Sequence, residues 1–308
     1  EAGAGSDLRV VVTLLDPSPL ARALGVTNMA VGPGSGEFHL TGPAGGRSLS
    51  ESLDLGHWMV RGIRGDSARI RGSLGAEDSG LAIWALMPNG SGSVDLSLRA
   101  RPGPEERRGT LERLALVSPN GEWILAAPTN FSWKDGIHVD NLALVSGQGR
   151  IAVDGAIDGG GQRDLRLVMD KAPLSGIAGF LGRRDLNVQA SGRMDLTGTP
   201  DAPRASGNLA LELVLLETSS ATVGIEYGFS DGEISVDARA TDATGGELRL
   251  SGSLPLASVL ARKRDSASAP PTASSPPSPS PKVMDLRLQS RAFDLSWARG
   301  LFPSGSVQ

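Results

Sequence analysis

Residues 192–211 decide the fold of this chain, and they read GRMDLTGTPDAPRASGNLAL. A run of alternating small and apolar residues ends at the Thr-Pro-Asp-Ala-Pro segment 199–203, and a second alternating run follows it. Two prolines remove two of the backbone donors that a β-ladder needs, so the sheet must stop at this segment and restart after it. The second run puts Leu209, Leu211 and Leu213 on one side of a strand. The stretch therefore predicts a β-hairpin with one apolar face.

The same alternation recurs along most of the chain. Apolar residues two apart are separated largely by Arg, Asp, Ser, Gly and Ala, for example at 8–14, 81–87, 151–157, 234–238 and 284–288. This period is typical of antiparallel strands that contact water on one side. We therefore expect an all-β fold, mostly antiparallel and repetitive, in which the strands form an elongated, curled sheet.

A longer repeat predicts a few short helices within this sheet. Segments 16–25, 172–182 and 254–260 each follow a strand, carry Pro near their start and have apolar residues three or four apart. Proline at the start and glycine just past the end are typical of short helices. Segment 293–301 is a fourth candidate.

Composition limits the classes of protein that this chain can be. The net charge is −4 and no basic stripe is present, which argues against nucleic acid as a partner. Cysteine is absent, so thiolate catalysis and cysteine-type zinc sites are excluded. Residues 264–282 are rich in Pro and Ser and have no large apolar side chain, so we expect a disordered insertion. We thus divide the chain into a repetitive β-sheet segment, 1–263, this insertion, and a continuation of the sheet with a short helix, 283–308.

No motif in the sequence points to catalysis. His39, His57 and His138 have no second His and no Cys at a metal-binding spacing, and the glycines of 32–36 are not followed by the Gly-Lys-Ser of a phosphate loop. No serine lies in a nucleophile elbow. We therefore expect neither an enzyme nor a bound cofactor or metal.

The Gly-Thr-Pro-Asp-Ala-Pro segment, with Gly192 before it and Gly207-Asn208-Leu209 after it, resembles the TamB and AsmA-like family. Segments 121–128 and 149–155 are similar to blocks that lie upstream in that family. The resemblance implies an open hydrophobic groove that conducts phospholipids between the inner and outer membranes of a Gram-negative envelope. It also implies a periplasmic location, an inner-membrane anchor outside this chain, and an outer-membrane barrel protein as a partner through parts that this chain lacks.

Transport needs a face on which acyl chains can lie, and the apolar stripes supply candidates for it. A second possibility is a scaffold that assists outer-membrane protein assembly by strand pairing, and a third is a purely structural β-rich array. The stripes are equally compatible with an ordinary sealed core. The sequence also leaves undecided which face of each strand lies inside, because Val214 and Leu216 are apolar on the other side of their strand. The candidate groove-lining residues are Ile151, Val153, Ile157, Leu165, Leu167, Leu186, Val188, Met194, Leu196, Leu209, Leu211, Leu213, Ile234, Val236, Leu248 and Leu250.

Overall fold

The structure is a computed structural model, and it describes residues 6–14, 29–43, 47–60, 63–75, 78–101, 107–176, 187–216, 219–255 and 284–293. Most of these residues lie in β-strands, and a single 3-10 turn is described at Pro88–Gly90. The strands are β1 (Ser6–Leu14), β2 (Met29–Val31), β3 (Gly34–Gly42), β4 (Ser48–Leu55), β5 (Trp58–Val60), β6 (Ile63–Gly65), β7 (Ser67–Leu74), β8 (Ser79–Leu86), β9 (Ser93–Arg101), β10 (Arg108–Ser118), β11 (Gly121–Leu125), β12 (Thr129–Ser132), β13 (Gly136–Ser146), β14 (Gly149–Asp158), β15 (Arg163–Pro173), β16 (Asn187–Gly198), β17 (Pro203–Leu216), β18 (Ser219–Ser230), β19 (Glu233–Asp242), β20 (Glu247–Pro255) and β21 (Asp285–Arg291).

Eighteen of these strands form one sheet, and β2, β5 and β6 form a small second sheet. In the large sheet, the register pairs each strand with its neighbours along the chain, always antiparallel, from β1 through β3, β4 and β7 to β10 and on to β21. Strands β11 and β12 both lie between β10 and β13, so eighteen strands occupy seventeen positions. At about 4.8 Å per position the sheet measures on the order of 75 Å across its strands.

Turns and bulges follow local sequence. Thr199 to Ala202 connect β16 to β17, and the Ala202 N–H donates to the Thr199 carbonyl oxygen at 3.2 Å. Pro203 opens β17 opposite Gly198, so the strand pair restarts at the second proline, as the sequence predicts. Asp231 and Gly232 both have positive φ, the conformation that a two-residue hairpin turn requires.

Two of the four register shifts in the described strands are bulges in β13 and β15 that keep the apolar side chains aligned. In β13 the bulge lies at Asn141, whose N–H donates to the Asp154 carboxylate at 3.0 Å. In β15 it lies at Lys171, whose N–H donates to the Ser191 hydroxyl at 2.9 Å. Each extra residue would otherwise move the following apolar residues to the opposite face.

The buried side chains of the large sheet concentrate along one of its long edges, which we call the covered edge. Trp58 of the small sheet packs against the group formed by Leu55 and its neighbours, and the backbone at Gly176 lies close to the ring of Trp123. Trp123 is 1% exposed. Most of the residues on the covered edge are alanine. Its residues are Leu55, Ala68, Ala85, Trp123, Ala172, Ala190, Leu213, Ala221 and Ala240.

The predicted fold class is confirmed: the chain is all-β and its strands form one long antiparallel sheet. The predicted helices fall mainly outside the described residues. Where 172–182 is described, Ala172 and Pro173 end β15 and a helical turn begins at Ser175, while Leu254 and Pro255 end β20. Residues 264–282, the predicted insertion, also lie outside the described residues, and β21 beyond them pairs with β20.

Candidate functional site: the apolar face of the sheet

The register brings the predicted lining residues together on one face. Residues directly opposite each other in an antiparallel pair share a face, so the pairing of each strand with the next fixes the side of every residue. Leu167 lies opposite Val153 and Met194, and Leu209 lies opposite Gly192 and Ile225. When the pairing is followed from strand to strand, fifteen of the sixteen predicted residues lie on one face, which we call the apolar face. The sixteenth, Leu186, lies outside the described residues.

The apolar face has rows of side chains that cross the strands. One row runs from β13 to β21 at right angles to the strand direction, with a gap in side-chain bulk only at glycine and alanine. Its members are Leu144, Ile151, Met169, Gly192, Leu209, Ile225, Ala238, Leu250 and Leu288.

These rows are neither a sealed core nor fully solvated. Of the predicted residues that the structure describes, Leu213 on the covered edge is buried at 9% exposure, and the others are half-buried. Leu288 in the last strand is 67% exposed. Aliphatic side chains packed between two sheets are ordinarily buried far more fully. The apolar face therefore contacts water over most of its width.

The apolar face continues into the first half of the chain, beyond the predicted lining residues. There the row is formed by Val12, Gly36, Leu53, Ile70, Ile83, Leu96 and Leu114. Leu116 lies opposite Trp123, and Leu125 lies opposite Leu144, which joins the two halves. Alternation was readable in each of these strands, so this part was accessible to prediction.

Strand β18 adds aromatic residues to the apolar face, whereas the predicted lining residues are all aliphatic or methionine. Tyr227 and Phe229 lie on the apolar face opposite Gly207 and Ala205. The Tyr227 hydroxyl lies over Gly207, 2.8 Å from where a Cβ on that glycine would stand, so the ring covers the gap that glycine leaves. Partial burial, and to a lesser degree the charge of Asp195, raises the pKa of the Tyr227 phenol.

The opposite face, which we call the polar face, has ion pairs within a strand and between neighbouring strands. Asp195 accepts from Arg193 at 2.8 Å and from Arg166 of β15 at 3.2 Å, and Arg249 donates to Asp237 at 2.7 Å. The hydrogen bond from Arg193, ahead of that from Arg166, lowers the pKa of the Asp195 carboxyl. These pairs are exposed to water, so each contributes little to stability, but together they make the sheet amphipathic.

The polar face also holds a concave region of about 630 Å³ between β9 and β13. Four of its ionisable side chains contact one another in pairs: Arg99 lies 3.2 Å from Glu112, and His138 lies 2.6 Å from Asp140. Across the described ranges, no three side chains of the His, Asp or Glu type are grouped so as to hold a metal ion. This concave region is local, whereas in the part of the chain that the structure describes the apolar face extends over the whole sheet.

Comparisons with known proteins add no identification. The chain matches no protein-family model, and no curated protein and no solved structure matches it. Within the part of the chain that the structure describes, no helix combines the length and the apolar character needed to cross a membrane. What can be stated of its class is structural: this is an open, amphipathic, antiparallel β-sheet protein.

Proposed function

We propose that the apolar face binds the acyl chains of phospholipids and conducts them along the sheet, between the inner and outer membranes of a bacterial envelope. One observation carries the proposal: rows of aliphatic side chains, most of them half-buried, cross the described sheet from end to end. The resemblance of segment 198–203 to the TamB and AsmA-like family supports the envelope setting and a periplasmic location with an inner-membrane anchor.

The energetics favour a surface of this kind. Moving a lipid through water exposes its methylenes at ~0.8 kcal/mol each, so a long acyl chain costs more than roughly 10 kcal/mol. A continuous aliphatic face offsets most of that cost with no chemical step. The rows run across the strands, so a chain that lies in them points along the sheet and can slide from one strand to the next.

Photocrosslinking inside cells tests this proposal with two adjacent positions. A benzophenone amino acid at Leu209 faces the apolar rows, whereas the same group at Ala210 lies on the exposed polar face. We expect lipid adducts at position 209 and none at 210, detected by mass spectrometry of the purified protein. Equal labelling at both positions, or no lipid adduct at 209, would contradict the proposal.

The edges of the sheet favour a second candidate function, a scaffold that pairs with client strands. Among the described residues, β1 pairs only with β3 and β21 only with β20, and every residue of β21 is exposed. Exposed edges can accept an added strand. Benzophenone at Gln289 should then give protein adducts, and finding them together with no lipid adducts at 209 would favour the scaffold.

A further inference from the structure

Among the residues that the structure describes, the apolar face has one charged side chain away from the strand ends, that of Glu51. Among the described strand residues, the register places three charged residues on this face, and two of them, Arg163 and Asp242, are the first residue of β15 and the last of β19. Glu51 instead lies in the middle of β4, between Leu49 and Leu53 on the same side.

The surroundings of Glu51 are hydrocarbon. Phe38 lies opposite it on β3 and Gly72 opposite it on β7, and the row continues to Leu81 and Leu98. A Cβ on Gly72 would overlap the Glu51 side chain, so this side chain lies flat across β7 at the glycine. The carboxylate is thereby held against the face and not extended into solvent.

Glu51 is half-buried, and within the described part of the chain no hydrogen bond or ion pair joins its carboxylate to another group. Arg69 and Arg71, the arginines of the neighbouring strand β7, both lie on the polar face, and Arg69 donates to Asp54 at 2.6 Å. On the open face the carboxylate is hydrated. Once acyl chains cover it, that water is displaced, and an unpaired carboxylate in an apolar environment is costly.

We propose that Glu51 binds the ammonium headgroup of an aminophospholipid whose acyl chain lies on the apolar face. This inference rests on the proposed function and specifies its ligand. An ammonium group has three N–H donors and a positive charge, and so it replaces the water that the acyl chain displaces. An anionic headgroup with the same chain would be repelled by the carboxylate. A single carboxylate is too few ligands for a divalent cation.

The test compares two lysophospholipids with the same myristoyl chain, one with an ethanolamine and one with a glycerol headgroup. Binding is measured below the micelle concentration by isothermal titration calorimetry with the full chain. We expect the ethanolamine lipid to bind about fivefold more tightly to the wild type, and Glu51→Gln to abolish this preference. Ethanolamine phosphate, which has no acyl chain, should not bind measurably.

Glu37→Gln is the matched control, because it removes the same charge from the adjacent strand on the polar face. There Glu37 pairs with Arg9 at 2.7 Å. The preference should survive this substitution. A preference that persists in Glu51→Gln, that is lost in both variants, or that is absent in the wild type would overturn the inference and leave the groove proposal standing. Binding of ethanolamine phosphate as tight as that of the lipid would also overturn it. If the wild type bound neither lipid, the proposed function itself would fail, and this inference with it.

Discussion

Replacing Leu209 with aspartate places a charge in the central row of the apolar face, where Gly192 and Ile225 lie opposite on the two neighbouring strands. Leu209 is half-buried. Full burial of a leucine is worth about 1.5–3 kcal/mol, so loss of the partly buried side chain costs about 1 kcal/mol. Aspartate is also a poor strand residue, which adds up to about 1 kcal/mol. Because the face is open, the new carboxylate stays hydrated and adds little more.

The expected loss is thus about 2 kcal/mol in the free energy of unfolding. A sealed core gives a different magnitude, because an uncompensated buried charge alone costs about 3–5 kcal/mol. Urea denaturation followed by circular dichroism measures the difference. Ala210→Asp is the matched control, since Ala210 is exposed on the polar face of the same strand. This substitution should lower the free energy of unfolding only by the strand-propensity contribution.

The comparison between the two variants decides whether the apolar face is open or sealed by protein atoms. If Leu209→Asp is less stable than Ala210→Asp by about 1 kcal/mol, the apolar face is open in solution. A difference above about 4 kcal/mol, or failure of Leu209→Asp alone to fold, would refute the reasoning, because it would mean that the position is sealed by protein atoms.

Two further substitutions test what shapes the sheet and what stabilises its polar face. Gly155 has φ +123°, and a Cβ there would overlap the carbonyl oxygen of Asp164, so Gly155→Ala should lower the free energy of unfolding by about 1–3 kcal/mol in urea denaturation. Gly224→Ala is the control and should change stability little, because the space around Gly224 is open. Similar stabilities of the two variants would contradict this prediction. The lowered pKa of Asp195 means that its contribution to stability is present above the ordinary aspartate pKa and is lost as the pH falls through the folded-state value. The drop in urea midpoint between pH 7 and pH 3 should therefore be smaller in Asp195→Asn than in the wild type, and an unchanged drop would exclude this role.

Much of the candidate site could be predicted because its signal is local. Alternation of apolar and polar residues identifies the strands, and it also shows which residues of a strand share a face. The same signal was present but unused in β18, where Ala221, Val223, Ile225, Tyr227 and Phe229 alternate with polar or small residues. The sequence did not predict Glu51 on the apolar face for a related reason. A single charged residue in a strand indicates the solvent-exposed side, and only the pairing register shows on which face the residue lies.

The alignment of one strand with another could not be predicted. Alternation is preserved when a strand slips by two residues, so sequence alone gives several registers for each pair. The bulges at Asn141 and Lys171 select one of them, and they are stabilised by hydrogen bonds to Asp154 and Ser191 on neighbouring strands. Such contacts join residues that are far apart along the chain, and no local pattern contains them.

The amino-acid sequence by itself determined that this protein is made of antiparallel strands with one apolar side, and that the chain reverses at Thr199–Ala202, because period and proline chemistry act within a few residues. Only the tertiary structure decided that the apolar sides join into rows across seventeen strand positions. It also decided that one long edge is covered while the remaining rows stay half-exposed, since burial depends on which segments pack over the sheet.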